Sequence, residues 1–306
     1  MEKKIVTLFG ATGSLGLKIA QEVIAQGAHV RAVVRTTSNR KNLENIGVTE
    51  FITGDLMDPA SLKNALSVSP KADAVIASAA GYTGHTKGDS PKTDTEGYRN
   101  IADAAKEANI PRFVLISVLE CDKAAEVPHF YHKYQTERYL QKIGQPFIAL
   151  RPGTFLDQTD DFVYPKVQKG IFPAFIPGVT MGMIYTADLA RYAAMAALRL
   201  PESAVNTTID VGWDRPASGD DLAAAFSAVL GRPIIAKPAF PSFVANVIMP
   251  IIGLFKENIK DLVAMIRWIK KGIYISSDTQ RQKELFLDLP TVEEAVRRYC
   301  KDRKLI

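Results

Sequence analysis

The chain has 306 residues, of which 47% are hydrophobic and 23% charged, so it can bury a large core and is unlike a disordered protein. Its net charge is +5, but the lysines and arginines are scattered rather than clustered in a stripe, so we expect no nucleic-acid partner. The two cysteines, Cys121 and Cys300, lack metal or redox spacing, so we expect no metal site. Together with an amino-terminal segment unlike a secretory signal, they favour a cytoplasmic protein.

The first predicted elements are a buried strand and an amphipathic helix joined by a glycine-rich turn. Residues 5–9 form an unbroken apolar run, as in a strand buried on both faces of a parallel sheet. Apolar residues then recur at helical spacing until Gly27, which is placed to stop the helix. Glycines at such a turn let backbone N–H groups and the helix N-terminus approach a pyrophosphate. The predicted dinucleotide-binding residues here are Gly10, Thr12, Gly13, Ser14, Leu15 and Gly16.

The end of the second predicted strand, residues 29–34, indicates which dinucleotide binds. Sites that prefer NAD usually place an Asp or Glu about 20 residues past the glycines, to bind the ribose 2′-hydroxyl. Here Arg35 follows the strand. A guanidinium can pair with a 2′-phosphate, which a carboxylate would repel. We therefore predict NADP(H) as the cofactor; the alternative interpretation is a solvated basic loop.

Strands and helices continue to alternate through the first half of the chain. The pattern predicts strands at 51–53, 74–80, 112–117 and 146–150, with Asp58 as the N-cap of a helix after the first of these. Such alternation over about 150 residues indicates an α/β fold with a Rossmann-type doubly wound parallel sheet. Ligands of this fold bind at the carboxyl ends of the strands.

Beyond Pro152 the alternation loosens, and proline, glycine and aromatic residues accumulate. We predict a Rossmann domain of residues 1–152 plus 186–212, and a smaller C-terminal substrate lobe of residues 153–185 plus 213–306. Because that lobe is rich in Phe and Met, we expect a small lipophilic or aromatic substrate. Helix caps are predicted at Thr186, at Ser218 with Asp221, and at Thr291 with Glu294.

One stretch of the C-terminal part raises the question of a membrane. Between Lys237 and Lys256 lie 18 uncharged residues, but three prolines among them argue against a transmembrane segment and predict a helix lining a pocket. The following residues place Ile259, Leu262, Ile266 and Ile269 on one side of a helix, and basic residues on the other. We expect region 243–271 to cover the substrate pocket; peripheral membrane contact or a partner is the alternative.

These landmarks, taken in order, resemble the NmrA-like family of atypical short-chain dehydrogenases over about residues 3–235. The resemblance rests on the glycine turn, Val33-Val34-Arg35, Gly54-Asp55-Leu56, the stretch 110–117, the segment around Lys133, and Arg151-Pro152-Gly153. It implies that the cofactor is contacted by Asp55 at the adenine, by the neighbouring Leu56, by Ala79, Ala80 and Gly81, and by Ser117 beside the nicotinamide. The family includes NADPH-dependent reductases of quinones and aromatic enones, and regulators that bind the dinucleotide without turning it over.

The helix after Ser117 departs from the short-chain reductase pattern. Those enzymes use a tyrosine followed four positions later by a lysine, because residues i and i+4 share a helix face and the phenol protonates the alkoxide. Here His129 precedes Lys133 by four positions, so the pair is broken. The resemblance implies that Lys133 keeps the lysine's role at the ribose. The proton donor stays open between His129, which occupies the tyrosine's position, and Tyr131, which would need a distorted first helical turn.

The alternatives are that His129 and Tyr131 are polar residues at a helix entrance without a chemical part, and that Lys133 is a surface lysine. The sequence as a whole predicts an NADPH-dependent reductase that transfers a hydride to a lipophilic carbonyl, quinone or enone. The alternative function, favoured by the broken tyrosine–lysine pair, is a non-catalytic NADP(H)-binding redox sensor, regulator or assembly factor.

Overall fold

The computed structural model describes residues 3–81, 91–157 and 160–306. The strands are β1 (Ile5–Phe9), β2 (His29–Val34), β3 (Glu50–Thr53), β4 (Ala74–Ala77), β5 (Phe113–Ile116), β6 (Phe147–Pro152), β7 (Thr154–Phe155), β8 (Ile171–Ala174), β9 (Met183–Ile184), β10 (Thr207–Val211) and β11 (Ile235–Pro238). The α-helices are α1 (Ser14–Ala25), α2 (Lys41–Asn45), α3 (Pro59–Leu66), α4 (Tyr98–Glu107), α5 (Pro128–Ile143), α6 (Asp160–Gln168), α7 (Thr186–Leu198), α8 (Gly219–Leu230), α9 (Met249–Gly253), α10 (Glu257–Ile269), α11 (Thr279–Phe286) and α12 (Val292–Asp302). The π-helical segments Pro91–Gly97 and Val244–Ile248 precede α4 and α9.

Within the described part of the chain, seven strands form a parallel sheet in the order β10-β6-β5-β4-β1-β2-β3. The prediction of a Rossmann-type parallel sheet is therefore confirmed. The order reverses at β1, where Phe9 pairs with Val33 on one side and with Ala77 on the other. In such sheets the crevice at the carboxyl ends beside this reversal is where ligands bind.

The sheet is stabilised by an apolar core that the sequence pattern anticipates. The strands β1, β4 and β5 are buried along almost their whole length, as expected of parallel strands covered on both faces. Phe9 and Phe113 pack in one cluster with side chains of α3, α4 and α5, among them Leu62, Ile101 and Leu140. The strand predicted at 74–80 is shorter than expected, because it ends at Ala77.

The chain divides into two compact units. Unit 1 comprises Met1–Asp122, Pro128–Arg151 and Ala187–Ile209, and holds the strands β1 to β5. Unit 2 comprises Lys123–Val127, Pro152–Thr186 and Asp210–Ile306. It contains two short parallel strand pairs, β7 with β9 and β8 with β11, and the helices α8 to α12. That unit 2 takes the substrate stays a prediction.

Most of the predicted helix caps are present. The Asp58 carboxylate accepts hydrogen bonds from the first turn of α3, and both capping boxes, Ser218 with Asp221 and Thr291 with Glu294, are formed. The prediction for Thr186 is wrong, because it is the first residue of α7 rather than the cap. Its backbone N–H and its hydroxyl both donate to the Asp157 carboxylate, which caps the helix instead.

The uncharged stretch of unit 2 differs from expectation. Leu254 and Phe255 are 78% and 84% exposed, as surface side chains are, so the prediction that this stretch lines a pocket is wrong for these two residues. The buried side chains of α10 are Asp261, Val263, Trp268 and Ile269, so of the predicted apolar face only Ile269 is fully buried, and Ile259, Leu262 and Ile266 are half-buried. Among the described residues, no helix is both long enough and apolar enough to cross a bilayer.

Candidate functional site

The glycine turn between β1 and α1 is closely packed and leaves the helix start open. Gly10 has a left-handed φ of 80°, and a Cβ added there would lie 2.6 Å from the Ala79 nitrogen. At Gly16 an added Cβ would lie 2.0 Å from the Gly10 carbonyl oxygen. Gly13 is the N-cap of α1, and no side chain caps the helix. The exposed N-terminus therefore offers free N–H groups and a positive dipole end to an anion.

A cavity of about 350 Å³ lies beside this turn, at the end of β2. It is lined by Thr12, Leu17, Arg35, Thr37, Ser38, Asn39, Asn42 and Leu43. Arg35 is exposed, and we find no partner for its guanidinium among the residues that the structure describes. The neighbouring Arg40 instead lies over the Phe51 ring, with its guanidinium carbon 5.3 Å from the ring centroid. Arg35 is thus the arginine available to a ligand in this cavity.

The loop after β3 presents Asp55 at the same edge of the sheet. One Asp55 carboxylate oxygen accepts a hydrogen bond from the Met57 N–H at 2.8 Å, and the Asp55 N–H donates to the Ser61 hydroxyl at 3.0 Å. The Leu56 carbonyl accepts a hydrogen bond from the Asn100 side chain at 2.8 Å. These contacts fix the loop while Asp55 itself stays exposed.

Residues 79–81, after β4, form a short wall next to the glycine turn. The Ala79 carbonyl accepts a hydrogen bond from the Tyr98 hydroxyl. The Gly81 N–H donates to one oxygen of the buried Asp94 carboxylate, at 3.0 Å. Ala80 is exposed, whereas Gly81 is buried. The wall is therefore held by the π-helical turn and by α4.

Lys133 belongs to the same polar cluster. Its Nζ lies 2.9 Å from the other Asp94 oxygen, 4.0 Å from the centroid of the Tyr98 ring and 3.4 Å from the Ala79 oxygen. Burial by itself lowers the pKa of Lys133, but Asp94 and Tyr98 outweigh burial and raise the pKa above its usual value. Lys133 is thus a buried, fully protonated ammonium beside the wall, and the interpretation as a surface lysine is wrong.

The two candidate proton donors differ in their surroundings. His129 is 9% exposed, lies one helical turn before Lys133, and has its ring edge-on to Phe130 at 4.6 Å between centroids. Tyr131 is 37% exposed, and its ring centroid lies 6.2 Å from that of Tyr134. Because α5 is α-helical from Pro128, the distorted first turn that Tyr131 would need is absent. The structure does not bring Tyr131 to Lys133.

A second buried network, not anticipated from the sequence, surrounds Ser117 after β5. The Ser117 hydroxyl donates to the Glu137 carboxylate at 2.5 Å. Arg151 donates to both oxygens of Glu137, at 3.0 and 2.6 Å, and to Asp122 at 2.9 Å. Glu137 lies four residues after Lys133 and therefore on the same face of α5. This spacing is the sequence feature that could have indicated Glu137 as a residue of the site. The network ties α5 to the ends of β5 and β6.

All the predicted site residues lie in unit 1, and those after β1 to β5 share the carboxyl edge of one parallel sheet. Residues 2–295 match the model of the NmrA-like family. The chain belongs to the NmrA-like family. The predicted resemblance is thereby confirmed.

Two solved structures share the fold of this NmrA-like protein. One is the NADPH-dependent quinone oxidoreductase QOR2 from Escherichia coli complexed with NADPH, with 19% identity, a TM-score of 0.74, and coverage of 96% of this chain and 99% of that one. The other is the Citrobacter sp. triphenylmethane reductase complexed with NADP(H), with 21% identity, a TM-score of 0.73, and coverage of 96% and 99%.

A curated relative carries a different description. The photosystem II assembly factor Ycf39 of Guillardia theta is 30% identical over 188 residues, which are 61% of this chain and 58% of that protein. A similar Ycf39 from Cyanophora paradoxa is matched over 57% of its length. The chain thus spans a little over half the length of these relatives.

Proposed function

We propose that this protein binds NADP(H) and reduces a lipophilic carbonyl, quinone or enone. The observation that carries the proposal is the exposed Arg35 guanidinium in a polar cavity beside the uncapped N-terminus of α1. The free helix N–H groups suit a pyrophosphate, and the guanidinium suits a 2′-phosphate. The charge of Arg35 would distinguish NADP(H) from NAD(H), because NAD(H) has a hydroxyl where NADP(H) carries that phosphate.

The residues of the site suit this cofactor, because the glycines of the turn have no side chains. The turn at Gly10 and Gly16 has no room for a Cβ, so only glycine allows the tight turn that leads from β1 into the N-terminus of α1, where the N–H groups would contact the pyrophosphate. Asp55 and Leu56 would border the adenine, and Ala79, Ala80 and Gly81 the middle of the cofactor. When bound, NADPH supplies the hydride. Ser117 and Lys133 would border its nicotinamide half.

Lys133 would act by charge rather than by proton transfer. Its ammonium is held protonated by Asp94, so it can bind a ribose hydroxyl and favour negative charge that develops nearby. A protonated lysine with a raised pKa is a poor proton donor at neutral pH. Because Tyr131 is exposed and the His129 ring is buried against Phe130, we propose that water supplies the proton instead of either side chain. This favours a quinone or enone acceptor, because its product anion is stabilised and can be protonated after hydride transfer.

The aromatic content of unit 2 supports a lipophilic substrate. Phe162, Phe175 and Phe240 contact one another, with ring centroids 5.5 to 6.5 Å apart. Phe175 is at the same time 36% exposed. We therefore keep residues 153–185 plus 213–306 as the proposed substrate lobe, alongside the proposed NADP(H) domain of 1–152 plus 186–212. The two structurally similar reductases are named for quinones and for triphenylmethanes, and both are largely apolar compounds that contain six-membered rings.

The cofactor proposal predicts a preference that one substitution removes. The unmodified protein should bind NADPH more tightly than NADH, and Arg35→Ala should weaken NADPH binding by about 10- to 100-fold, since each hydrogen bond to a charged group contributes about 1.5–3 kcal/mol. NADH binding should hardly change. Isothermal titration calorimetry measures both, and Lys41→Ala is the control, because Lys41 is an exposed cation near the cavity that does not line it. Equal affinities for the two cofactors would refute the assignment.

Turnover is tested by NADPH oxidation with a panel of quinones, enones and aromatic ketones. We expect quinones or enones to be reduced and simple ketones to be poor substrates. His129→Phe and Tyr131→Phe each remove a transferable proton while keeping an aromatic ring, and both should retain most of the rate. A loss of about 100-fold in either variant would identify a general acid and overturn the proposal that water supplies the proton.

A second candidate function is a non-catalytic NADP(H) sensor or assembly factor. The absence of a tyrosine four residues before Lys133 favours it, as does the similarity to a protein named as an assembly factor. Tight NADPH binding without reduction of any panel member would support this function over the reductase. In either case we propose a cytoplasmic location, because both cysteines are free and buried.

A further inference from the structure

We propose that unit 2 docks on an anionic membrane surface through residues 243–256, here called the docking segment. Seven of its side chains are large, apolar and exposed: Phe243, Val247, Ile248, Ile251, Ile252, Leu254 and Phe255. Single apolar side chains on a protein surface are ordinary, but a continuous patch of this kind marks a contact with another molecule or a membrane. The inference does not depend on the proposed reductase activity.

Basic side chains border this apolar patch. The helices α9 and α10 pack against each other at Gly253, where an added Cβ would lie 3.2 Å from the Lys260 Cα. Lys260 is therefore next to the docking segment, and Lys256 connects the two helices; both lysines are exposed. Of the two carboxylates in α10, Asp261 is buried and Glu257 lies 3.6 Å from Lys260. Two further exposed basic residues, Arg267 and Lys270, follow in the chain and add to the positive charge of this part of unit 2.

The chemistry of the segment favours a lipid surface over a protein partner. Protein interfaces form about one hydrogen bond per 100–200 Å² of buried area. Between residues 243 and 255, Asn246 is the one side chain that can form hydrogen bonds, whereas acyl chains require none. A second copy of the chain, docked symmetrically through this segment, would bring a second set of the same positive charges to the interface without adding a carboxylate from the segment. An anionic headgroup layer instead attracts them.

The length of the segment argues for insertion into one leaflet. Residues 243–255 at a helical rise of about 1.5 Å per residue span about 20 Å, less than the roughly 30 Å hydrocarbon core of a bilayer. The segment would therefore lie in the interface, with its apolar side chains among the acyl chains and its lysines at the headgroups. Phe243 and Phe255 at its two ends would anchor it there.

The test is co-sedimentation of the purified full chain with vesicles. Vesicles of phosphatidylcholine alone are compared with vesicles that also contain phosphatidylglycerol. We expect binding to the anionic vesicles and much weaker binding to the neutral ones. The double variant Leu254→Ser, Phe255→Ser should lower the partition coefficient by about tenfold or more. Lys256→Gln and Lys260→Gln should each lower it by about fivefold, and added salt should do the same.

Leu287→Ser with Ile306→Ser is the matched control, because these two exposed apolar residues of unit 2 lie outside the docking segment. Circular dichroism and the thermal midpoint verify that each variant folds. Failure of the unmodified chain to bind anionic vesicles, or equal losses in the docking and control variants, would overturn the proposal. Sedimentation velocity without lipid provides the other decisive result: self-association that Leu254→Ser, Phe255→Ser abolishes would assign the patch to a second copy instead.

Discussion

Replacing Asp94 by Asn tests whether the buried ion pair holds the wall at residues 79–81. An asparagine keeps an oxygen that can accept the hydrogen bond from Gly81, but removes the charge beside Lys133. The side chains of Lys133 and Asp94 are 9% and 2% exposed, so the ammonium would be left in a poorly solvated place without a counter-charge. Breaking a buried pair in this way costs about 3–5 kcal/mol, a large part of the roughly 5–15 kcal/mol that usually separates folded from unfolded protein.

The assay is urea unfolding at neutral pH, followed by circular dichroism. We expect the midpoint of Asp94→Asn to fall by about 1–2 M urea. The double variant Asp94→Asn, Lys133→Met removes both charges, so it should be more stable than the single variant. The reasoning is refuted if the free energy of unfolding of Asp94→Asn lies within about 0.5 kcal/mol of that of the unmodified protein. It is also refuted if the costs of Asp94→Asn and of the single variant Lys133→Met simply add in the double variant.

The pH dependence of the same variant gives an independent test. In the unmodified protein the pKa of Lys133 is raised on folding, so its contribution to stability is complete below the unfolded value of about 10.4 and is lost as the pH rises through the folded value. In Asp94→Asn, burial prevails and the folded pKa falls below about 10.4. The variant should then gain stability as the pH rises towards that value. The stability difference should narrow between about pH 7 and 10; a constant difference would contradict the assignment.

Two further predictions concern the neighbouring contacts. Glu137→Gln removes the buried carboxylate that pairs with Arg151, whose side chain is 12% exposed, and should cost about 3 kcal/mol in urea unfolding. Asp122→Asn, at a 36% exposed carboxylate, should cost less than about 1 kcal/mol; equal costs would contradict the burial argument. Gly16→Ala should abolish detectable NADPH binding in calorimetry, because the new Cβ would collide with the backbone of the turn. Gly47→Ala is the control: it has open space around it and should bind NADPH normally, although its φ of 91° strains an alanine. Normal binding by Gly16→Ala would show that the turn can move.

Local patterns were sufficient to predict the strand-turn-helix-strand unit at the start of the chain. The bounds of β1 and β2 agree with the predicted residues 5–9 and 29–34, because an uninterrupted apolar run and a stopping glycine are properties of neighbouring residues. The caps at Asp58, Ser218 and Thr291 depend on contacts at most three residues away, and they too were found. Candidate residues that directly follow a parallel strand could likewise be placed at the carboxyl edge of the sheet, because all parallel strands end at that edge.

Contacts between distant residues could not be predicted in this way. Nothing near Lys133 in the sequence indicates that the distant Asp94 neutralises it, or that Asp157 caps α7. The same holds for the docking segment: its composition is typical of a buried stretch, yet in the fold seven of its large apolar side chains are exposed. The periodicity of a sequence indicates the faces of a helix, but the tertiary packing determines which element covers each face.

The polar layer behind residues 79–81 determines how that wall can discriminate. The Ala79 carbonyl is bonded to the Tyr98 hydroxyl, and the Gly81 amide to Asp94. Since these two backbone groups already have partners inside the protein, they have little left to offer a ligand. Under the proposed function, a cofactor that lies against this wall is recognised there by the shape of the protein surface rather than by hydrogen bonds from these two groups.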